Sequence, residues 1–145
     1  MTNRRNFIKA SISAAVTSSF LATPSAVSAT NKGSNIKPKR LKSGDTIGLI
    51  APGSNAWEDE EIQFAMDVLR SFGFKVKPGK HLFDRNGYLA GEDKNRADDI
   101  NQMFADKNVD AVYCLRGGYG SSRILPHLDY WIIKKNPKVL VGYSD

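Results

Sequence analysis

The sequence has very little cysteine and histidine. Its 145 residues include one cysteine, Cys114, and two histidines, His81 and His127. A single cysteine cannot form a disulfide within the chain, so the fold must depend on its hydrophobic core. Because neither C-x-x-C nor H-x-x-x-H spacing occurs, we expect no metal site. Cys114 lies in the apolar run DAVYCLR, where a buried small hydrophobe is the expected role.

Long runs of like charge and long apolar runs are missing as well. No stretch of five like charges occurs and basic residues do not alternate with aromatics, which argues against nucleic-acid binding. The apolar stretch near the amino terminus is too short, and too rich in Ser and Thr, to span a bilayer as a stable helix. With 41% hydrophobic and 25% charged residues, the composition is typical of a globular domain.

Residues 1–29 have the pattern of an export signal. A basic start precedes a small-residue apolar stretch, and VSA at 27–29 is typical of a cleavage site. RRNFIK at 4–9 resembles a twin-arginine signal, with an ordinary Sec signal as the alternative. We therefore expect export to the periplasm or another extracytoplasmic compartment. Residues 30–42 are polar, basic and broken by Gly and Pro, which predicts a linker.

Alternating apolar and amphipathic segments predict an α/β fold. Short apolar runs bounded by Gly and Pro are typical of strands covered on both faces, and apolar spacings of three and four predict helices. The predicted elements are a strand at 46–51, a helix at 58–72, a strand at 74–77, a helix at 93–107, a strand at 110–115, short helices at 121–127 and 129–135, and a strand at 139–142. This order indicates an open, mainly parallel sheet with helices on both faces.

Four loops follow the predicted strands, and ligands of such sheets bind at the carboxyl ends of strands. The loops contain PGSN, KPGKHLFDRNGY, RGGYG and GYSD. In PGSN, Ser54 or Asn55 is expected to cap the next helix. RGGYG is either a tight turn or an anion cradle, and Arg116 either binds a carboxylate or pairs with a surface acid. The loop lacks the third glycine of a dinucleotide fingerprint and the G-K-[ST] of a P-loop.

The GYSD loop offers a hydroxyl group at the end of the last strand. Ser144 lies two residues after the strand-ending Gly142, an arrangement that resembles a nucleophile elbow. Such a turn lifts the hydroxyl clear of the sheet, and the next N–H, from Asp145, can stabilise an oxyanion. The alternative is an N-cap, because Ser-Asp also begins helices.

Together these loops resemble the LD-carboxypeptidase family of serine peptidases. The resemblance rests on APGS, GYLAG, LRGGYGSSRILPHLDY and NPKVLVGYSD in this order, and it covers residues 42–145. It implies a flavodoxin-like N-terminal domain, similar to those of class I glutamine amidotransferases, that carries the nucleophile. Residues 43–145 correspond to this domain, and we expect the family's C-terminal domain to be absent from the chain.

The resemblance also implies roles for individual residues. Ser144 is the expected nucleophile of a Ser-His-Glu set, and the backbone N–H groups of Gly118 and Asp145 are the expected oxyanion hole. Arg116 is a candidate substrate-binding residue. Family substrates are peptidoglycan stem peptides, cut at the L,D bond that releases a terminal D-alanine, whereas immunity relatives cleave a peptide-linked nucleotide toxin.

Further expectations concern the chain as a molecule. Since the family's His and Glu come from the C-terminal domain, we expect these 145 residues alone to be catalytically inert and marginally stable. The resemblance implies no cofactor or metal, and it makes a homodimer plausible for the full-length form. The main alternative is a non-catalytic exported module that binds a peptide or cell-wall fragment through RGGYG and Arg116. A flavodoxin-like nucleotide binder is a third possibility, although a phosphate motif is missing.

Overall fold

A computed structural model describes residues 36–144 of the protein. The predicted export signal, the first part of the predicted linker and Asp145 lie outside the described residues. In the described part of the chain, no helix is both long and apolar enough to cross a membrane.

The described residues form a four-stranded parallel sheet with helices on both faces. The elements are β1 (Thr46–Ile50), α1 (Asp59–Ser71), β2 (Lys75–Pro78), α2 (Asp93–Ala105), β3 (Ala111–Cys114), a 3-10 helix (Ser121–His127), α3 (Tyr130–Lys135) and β4 (Val139–Val141). The strand order is β2-β1-β3-β4, and every neighbouring pair is parallel. The predicted fold class is confirmed, and the sheet has its topological switch point between β1 and β3.

Strand β1 occupies the centre of the core. Its side chains alternate between the two faces of the sheet, with Ile47 and Leu49 in one buried cluster and Ile50 in the other. Gly48 faces α2, where an added Cβ would lie 2.6 Å from the Met103 sulfur. The missing side chain therefore lets α2 pack closely onto the middle of the sheet.

Helix α1 covers one face of the sheet and α2 covers the other. Helix α1 begins with three acidic residues, ends before Gly73 at φ 87°, and buries Ile62, Met66 and Leu69. Helix α2 buries an apolar stripe but also two charged residues, Arg96 and Asp99. Such residues need partners inside the fold, and Arg96 finds them at the edge where the loops meet.

Strand β4 is less covered than the strands at the centre of the sheet. Leu140 is 55% exposed and Val141 38% exposed, whereas Val112 of β3 is fully buried. Beside Val141, an apolar groove of about 440 Å³ runs along the sheet next to α1 and is lined by Phe64, Phe72 and Tyr113. The α1 face is therefore complete at β1 and open at β4.

Candidate active site at the carboxyl edge of the sheet

The loops after β1 and β3 are bonded directly to each other. The Ser54 hydroxyl donates to the Gly117 carbonyl oxygen at 2.7 Å, and the Ser54 N–H donates to the same oxygen at 3.3 Å. The prediction that Ser54 or Asn55 caps α1 is wrong. Because the helix starts only at Asp59, Glu58 holds the N-cap position, and its side chain forms no capping hydrogen bond. The Ser54 hydroxyl is therefore used between loops and not at the helix end.

The GYLAG segment supports the PGSN loop from the other side. The Asn55 N–H donates to the Tyr88 carbonyl at 3.0 Å, and the Ala90 N–H donates to the Gly53 carbonyl at 3.1 Å. The Asn55 side chain adds a hydrogen bond to the Gly87 carbonyl at 3.1 Å. Segments that are distant in sequence thus stack in the order GYLAG, PGSN, RGGYG.

The glycines of RGGYG are required by conformation and by space. Gly118 has φ 115° and Gly120 has φ 119°, which L side chains rarely adopt. A Cβ on Gly118 would overlap the Ser54 hydroxyl, and one on Gly53 would lie 2.7 Å from the Gly118 carbonyl oxygen. The loop RGGYG, here called the cradle, is therefore packed closely against the PGSN loop, and its role in anion binding stays a prediction.

Ser144 lies against this cradle. A Cβ on Gly117 would overlap the Tyr143 carbonyl oxygen and would lie 3.0 Å from the Ser144 Cβ. Among the described residues, Ser144 is the one non-glycine residue with a left-handed backbone, at φ 65°. Strained and exposed serines on a strand exit are typical of nucleophile elbows. The roles of Ser144, Gly118 and Asp145 stay predictions, and Asp145 lies beyond the described residues.

Within residues 36–144, the Ser144 hydroxyl and the Gly118 N–H form no hydrogen bond to a protein group. Both are therefore available to a ligand. The two histidines are engaged elsewhere: His81 Nδ1 contacts Asp84 at 2.8 Å, and His127 ends the 3-10 helix. Neither histidine is bonded to Ser144 in the described part of the chain.

Arg116 lines a cavity of about 460 Å³ next to the cradle, together with Ser54, Trp57 and Tyr88. Its guanidinium lies 3.4 Å from the Asn55 carbonyl oxygen and 3.5 Å from a Glu61 carboxylate oxygen. Both contacts are long for charge-assisted hydrogen bonds. The expected pairing with a surface acid is thus present but loose, and Arg116 could turn toward a carboxylate ligand. Its substrate-binding role stays a prediction.

Arg96 connects the cradle to α2. It is 2% exposed, donates to the carbonyl oxygens of Pro52 and Gly120, and pairs with Asp93. Burial alone would raise the pKa of Asp93, but the hydrogen bond from Arg96 and the charge of Arg123 outweigh it and lower that pKa. The sequence pattern did not indicate the buried role of Arg96, and it predicted only a helix cap for Ser54. The doubled glycine of RGGYG was the signal that another segment packs closely there.

Cys114 lies under the site without taking part in it. Burial raises the pKa of its thiol to about 11, so the thiol stays protonated and unreactive near neutral pH. Residues 36–144 contain no group of three or more His, Cys, Asp or Glu side chains that could hold a metal ion. What the described residues offer at this edge is the exposed Ser144 hydroxyl, on a turn that packs against Gly117.

Comparisons with known proteins identify relatives of this architecture. A probable murein peptide carboxypeptidase of Bacillus subtilis is 45% identical over 111 residues, which are 77% of this chain and 34% of the relative. A murein tetrapeptide carboxypeptidase of Pseudomonas aeruginosa is 36% identical over 68% of this chain and 32% of its own length. The chain therefore spans about a third of the length of these curated relatives.

Solved structures agree with the sequence matches. The microcin C7 self immunity protein MccF in complex with aspartyl sulfamoyl adenosine has a TM-score of 0.71 at 31% identity, covering 75% of this chain and 33% of that one. A muramoyltetrapeptide carboxypeptidase from Oxalobacter formigenes has a TM-score of 0.61 at 31% identity, covering 69% of this chain and 33% of that one. The family model of the LD-carboxypeptidase N-terminal domain matches residues 47–145. The chain belongs to the LD-carboxypeptidase family and contains that family's N-terminal domain.

Proposed function

We propose that the chain is the nucleophile-bearing part of a serine-type LD-carboxypeptidase. The enzyme would hydrolyse an L,D peptide bond in peptidoglycan stem peptides and release a terminal D-alanine. The observation that carries this proposal is the strained, exposed Ser144 turn against Gly117 in a chain of this family. The names of the Bacillus subtilis and Pseudomonas aeruginosa relatives support a murein peptide as the substrate.

The mechanism follows from the chemistry of this edge. Ser144 would attack the scissile carbonyl, while the N–H groups of Gly118 and Asp145 stabilise the negative charge that develops on its oxygen. A histidine oriented by a glutamate would take the serine proton. We expect both in the two thirds of the relatives' length that this chain does not span. Arg116 would bind a carboxylate of the peptide with its planar guanidinium.

The test compares two proteins. One is residues 1–145 alone, and the other, here called the completed protein, continues this chain with the C-terminal region of the Bacillus subtilis relative. We expect the completed protein to release D-alanine from a murein tetrapeptide and the 145-residue chain to release none. Without its triad partners, a serine peptidase loses roughly a million-fold in turnover.

The control is Ser144→Ala in the completed protein, which should abolish release while a cooperative melt shows that the protein is folded. D-alanine release that survives Ser144→Ala would show that Ser144 is not the nucleophile. A completed protein that is folded but releases no D-alanine would contradict the proposed reaction. Aspartyl sulfamoyl adenosine, the compound in complex with MccF, is the second substrate to assay. The family resemblance implies that immunity relatives cleave a peptide-linked nucleotide toxin.

A second candidate function is a non-catalytic exported module that holds a peptide or cell-wall fragment. The cavity of about 460 Å³ beside the loosely paired Arg116 favours this function. Under this proposal the 145-residue chain binds a murein tetrapeptide in calorimetry, and Arg116→Gln weakens the binding about tenfold or more. A completed protein that binds the murein tetrapeptide but releases no D-alanine would favour the binding module over the enzyme.

Export and assembly complete the proposal. The segment RRNFIK, at residues 4–9, would direct the protein through the twin-arginine route to the periplasm. The full-length form would be a homodimer. Replacing both arginines of this segment by lysine should leave the protein in the cytoplasm in a fractionation experiment. Unchanged export would instead indicate the Sec route, and a monomer by light scattering would contradict the dimer.

A further inference from the structure

The predicted oxyanion donor belongs to a peptide group whose other end is held in place. The Gly118 N–H and the Gly117 carbonyl lie in one planar peptide unit, and the described residues contain no cis peptide bond. In a trans peptide the N–H and C=O bonds point in opposite directions. Whatever fixes the direction of the Gly117 carbonyl therefore also fixes the direction of the Gly118 N–H.

Ser54 fixes that carbonyl. It donates two hydrogen bonds to the same oxygen, one from its hydroxyl at 2.7 Å and one from its N–H at 3.3 Å. The Gly118 N–H consequently points away from Ser54, and within the described residues it donates to no protein group. An oxyanion donor needs both of these properties: its N–H must have a fixed direction, and no other acceptor must compete for it.

The surroundings make this contact specific to Ser54. Glycine at 118 is free to adopt many backbone conformations, so its peptide could rotate if nothing held it. The GYLAG segment holds the PGSN loop through Gly53 and Asn55, and Ser54 lies between these two anchored positions. Arg96 binds the far end of the cradle at Gly120 but does not contact the Gly117 carbonyl. Of these supports, Ser54 acts on the peptide that carries the donor.

We infer that Ser54 is a positioning residue of the oxyanion hole: its hydroxyl holds the Gly117–Gly118 peptide so that the Gly118 N–H faces the carbonyl attacked by Ser144. This inference rests on the proposed function and adds a residue to it. Loss of the hydroxyl should lower turnover and leave ground-state binding nearly unchanged, because the N–H serves the developing charge more than the bound substrate.

The first experiment needs no activity and uses the 145-residue chain. In Ser54→Ala the backbone carbonyl carbon of Gly117 should shift in the NMR spectrum, because its oxygen loses the shorter of two hydrogen bonds. The matched control is Ser71→Ala, since the Ser71 hydroxyl also donates to a backbone carbonyl at 2.7 Å, that of Val68, away from the site. This control should leave the Gly117 signal unmoved. An unchanged Gly117 signal in Ser54→Ala overturns the inference.

The second experiment separates positioning from packing in the completed protein. Ser54→Ala and the near-isosteric Ser54→Cys, whose thiol is a weak donor, should each lower kcat about 10- to 100-fold with KM within about twofold. Ser54→Thr retains the hydroxyl and should recover most of the turnover. Full kcat in Ser54→Cys would mean that only the volume matters, and equal loss in kcat and binding would mean general disruption. Either result overturns the inference.

The two experiments also distinguish this inference from the proposed function. If the unsubstituted completed protein releases no D-alanine, the proposed function fails and so does the catalytic role of Ser54, while the Gly117 signal still decides whether the contact exists. If D-alanine is released and the Gly117 signal shifts in Ser54→Ala, but kcat stays unchanged, only the positioning role is overturned.

Discussion

The two strand exits that meet at the site differ in how they are held. The β3 exit, residues 116–120, is bonded to Ser54 on one side and to the buried Arg96 on the other. The β4 exit, by contrast, has Tyr143 82% exposed, and neither Tyr143 nor Ser144 forms a hydrogen bond within the described residues. The side of the site with the predicted oxyanion donor is thus held by hydrogen bonds within the described residues, while the side with the predicted nucleophile depends mainly on close packing against Gly117.

This difference follows the burial of the strands. Strand β3 lies between β1 and β4 and buries Ala111 and Val112, and its exit loop is bonded to Ser54 and Arg96. Strand β4 pairs with β3 alone among the described residues, and its outer side chains remain exposed. In our proposal the Ser144 turn is catalytic and needs further contacts to hold its geometry, which the remainder of the enzyme supplies.

The contact between the two exits should be the most sensitive point of the site. In Gly117→Ala the new Cβ would overlap the Tyr143 carbonyl oxygen, so the β4 turn must move away from the cradle. A displacement of about 1 Å can lower turnover about a hundredfold, and we expect at least that loss of D-alanine release in the completed protein. Gly142→Ala is the matched control, because its Cβ would make only an ordinary contact, 3.9 Å from the Cys114 sulfur. Equal activities of the two variants would contradict the close packing described above.

The sequence was sufficient to predict the helices and strands, but it was not sufficient to predict the contacts between loops. Hydrophobic periodicity reports which face of a segment is buried, so the order of strands and helices, and most of their ends to within two residues, could be predicted. It says nothing of partners 63 residues apart in sequence, so a helix cap was the only role that local pattern could suggest for the Ser54 hydroxyl. Arg96 was missed for a related reason, since a charged residue beside the apolar stripe of a helix is ordinarily exposed to solvent.

Replacing Arg96 tests how much this buried side chain stabilises the β3 exit. Arg96→Met keeps much of the volume but leaves the buried carbonyl oxygens of Pro52 and Gly120 without their donor. We expect unfolding free energy in urea to fall by about 3 kcal/mol. Arg70→Met on α1 is the control, because Arg70 pairs with Asp67 on the exposed surface and should cost at most about 0.5 kcal/mol. Similar losses in the two variants would show that the cradle does not depend on Arg96.

The smallest expected effect concerns the other end of β3, where Asp110 accepts the Thr46 N–H at 2.9 Å. This hydrogen bond, with Lys39 nearby, lowers the pKa of Asp110 below its ordinary value of 3.8. A lowered folded pKa means that the stabilisation is present above the ordinary value and is lost as the pH falls through the folded value. Asp110→Asn should therefore cost about 1 kcal/mol in urea at pH 7, and the difference from the unsubstituted chain should shrink below about pH 4. A difference that stays constant or grows on acidification would show that the charge of Asp110 does not stabilise the strand entry.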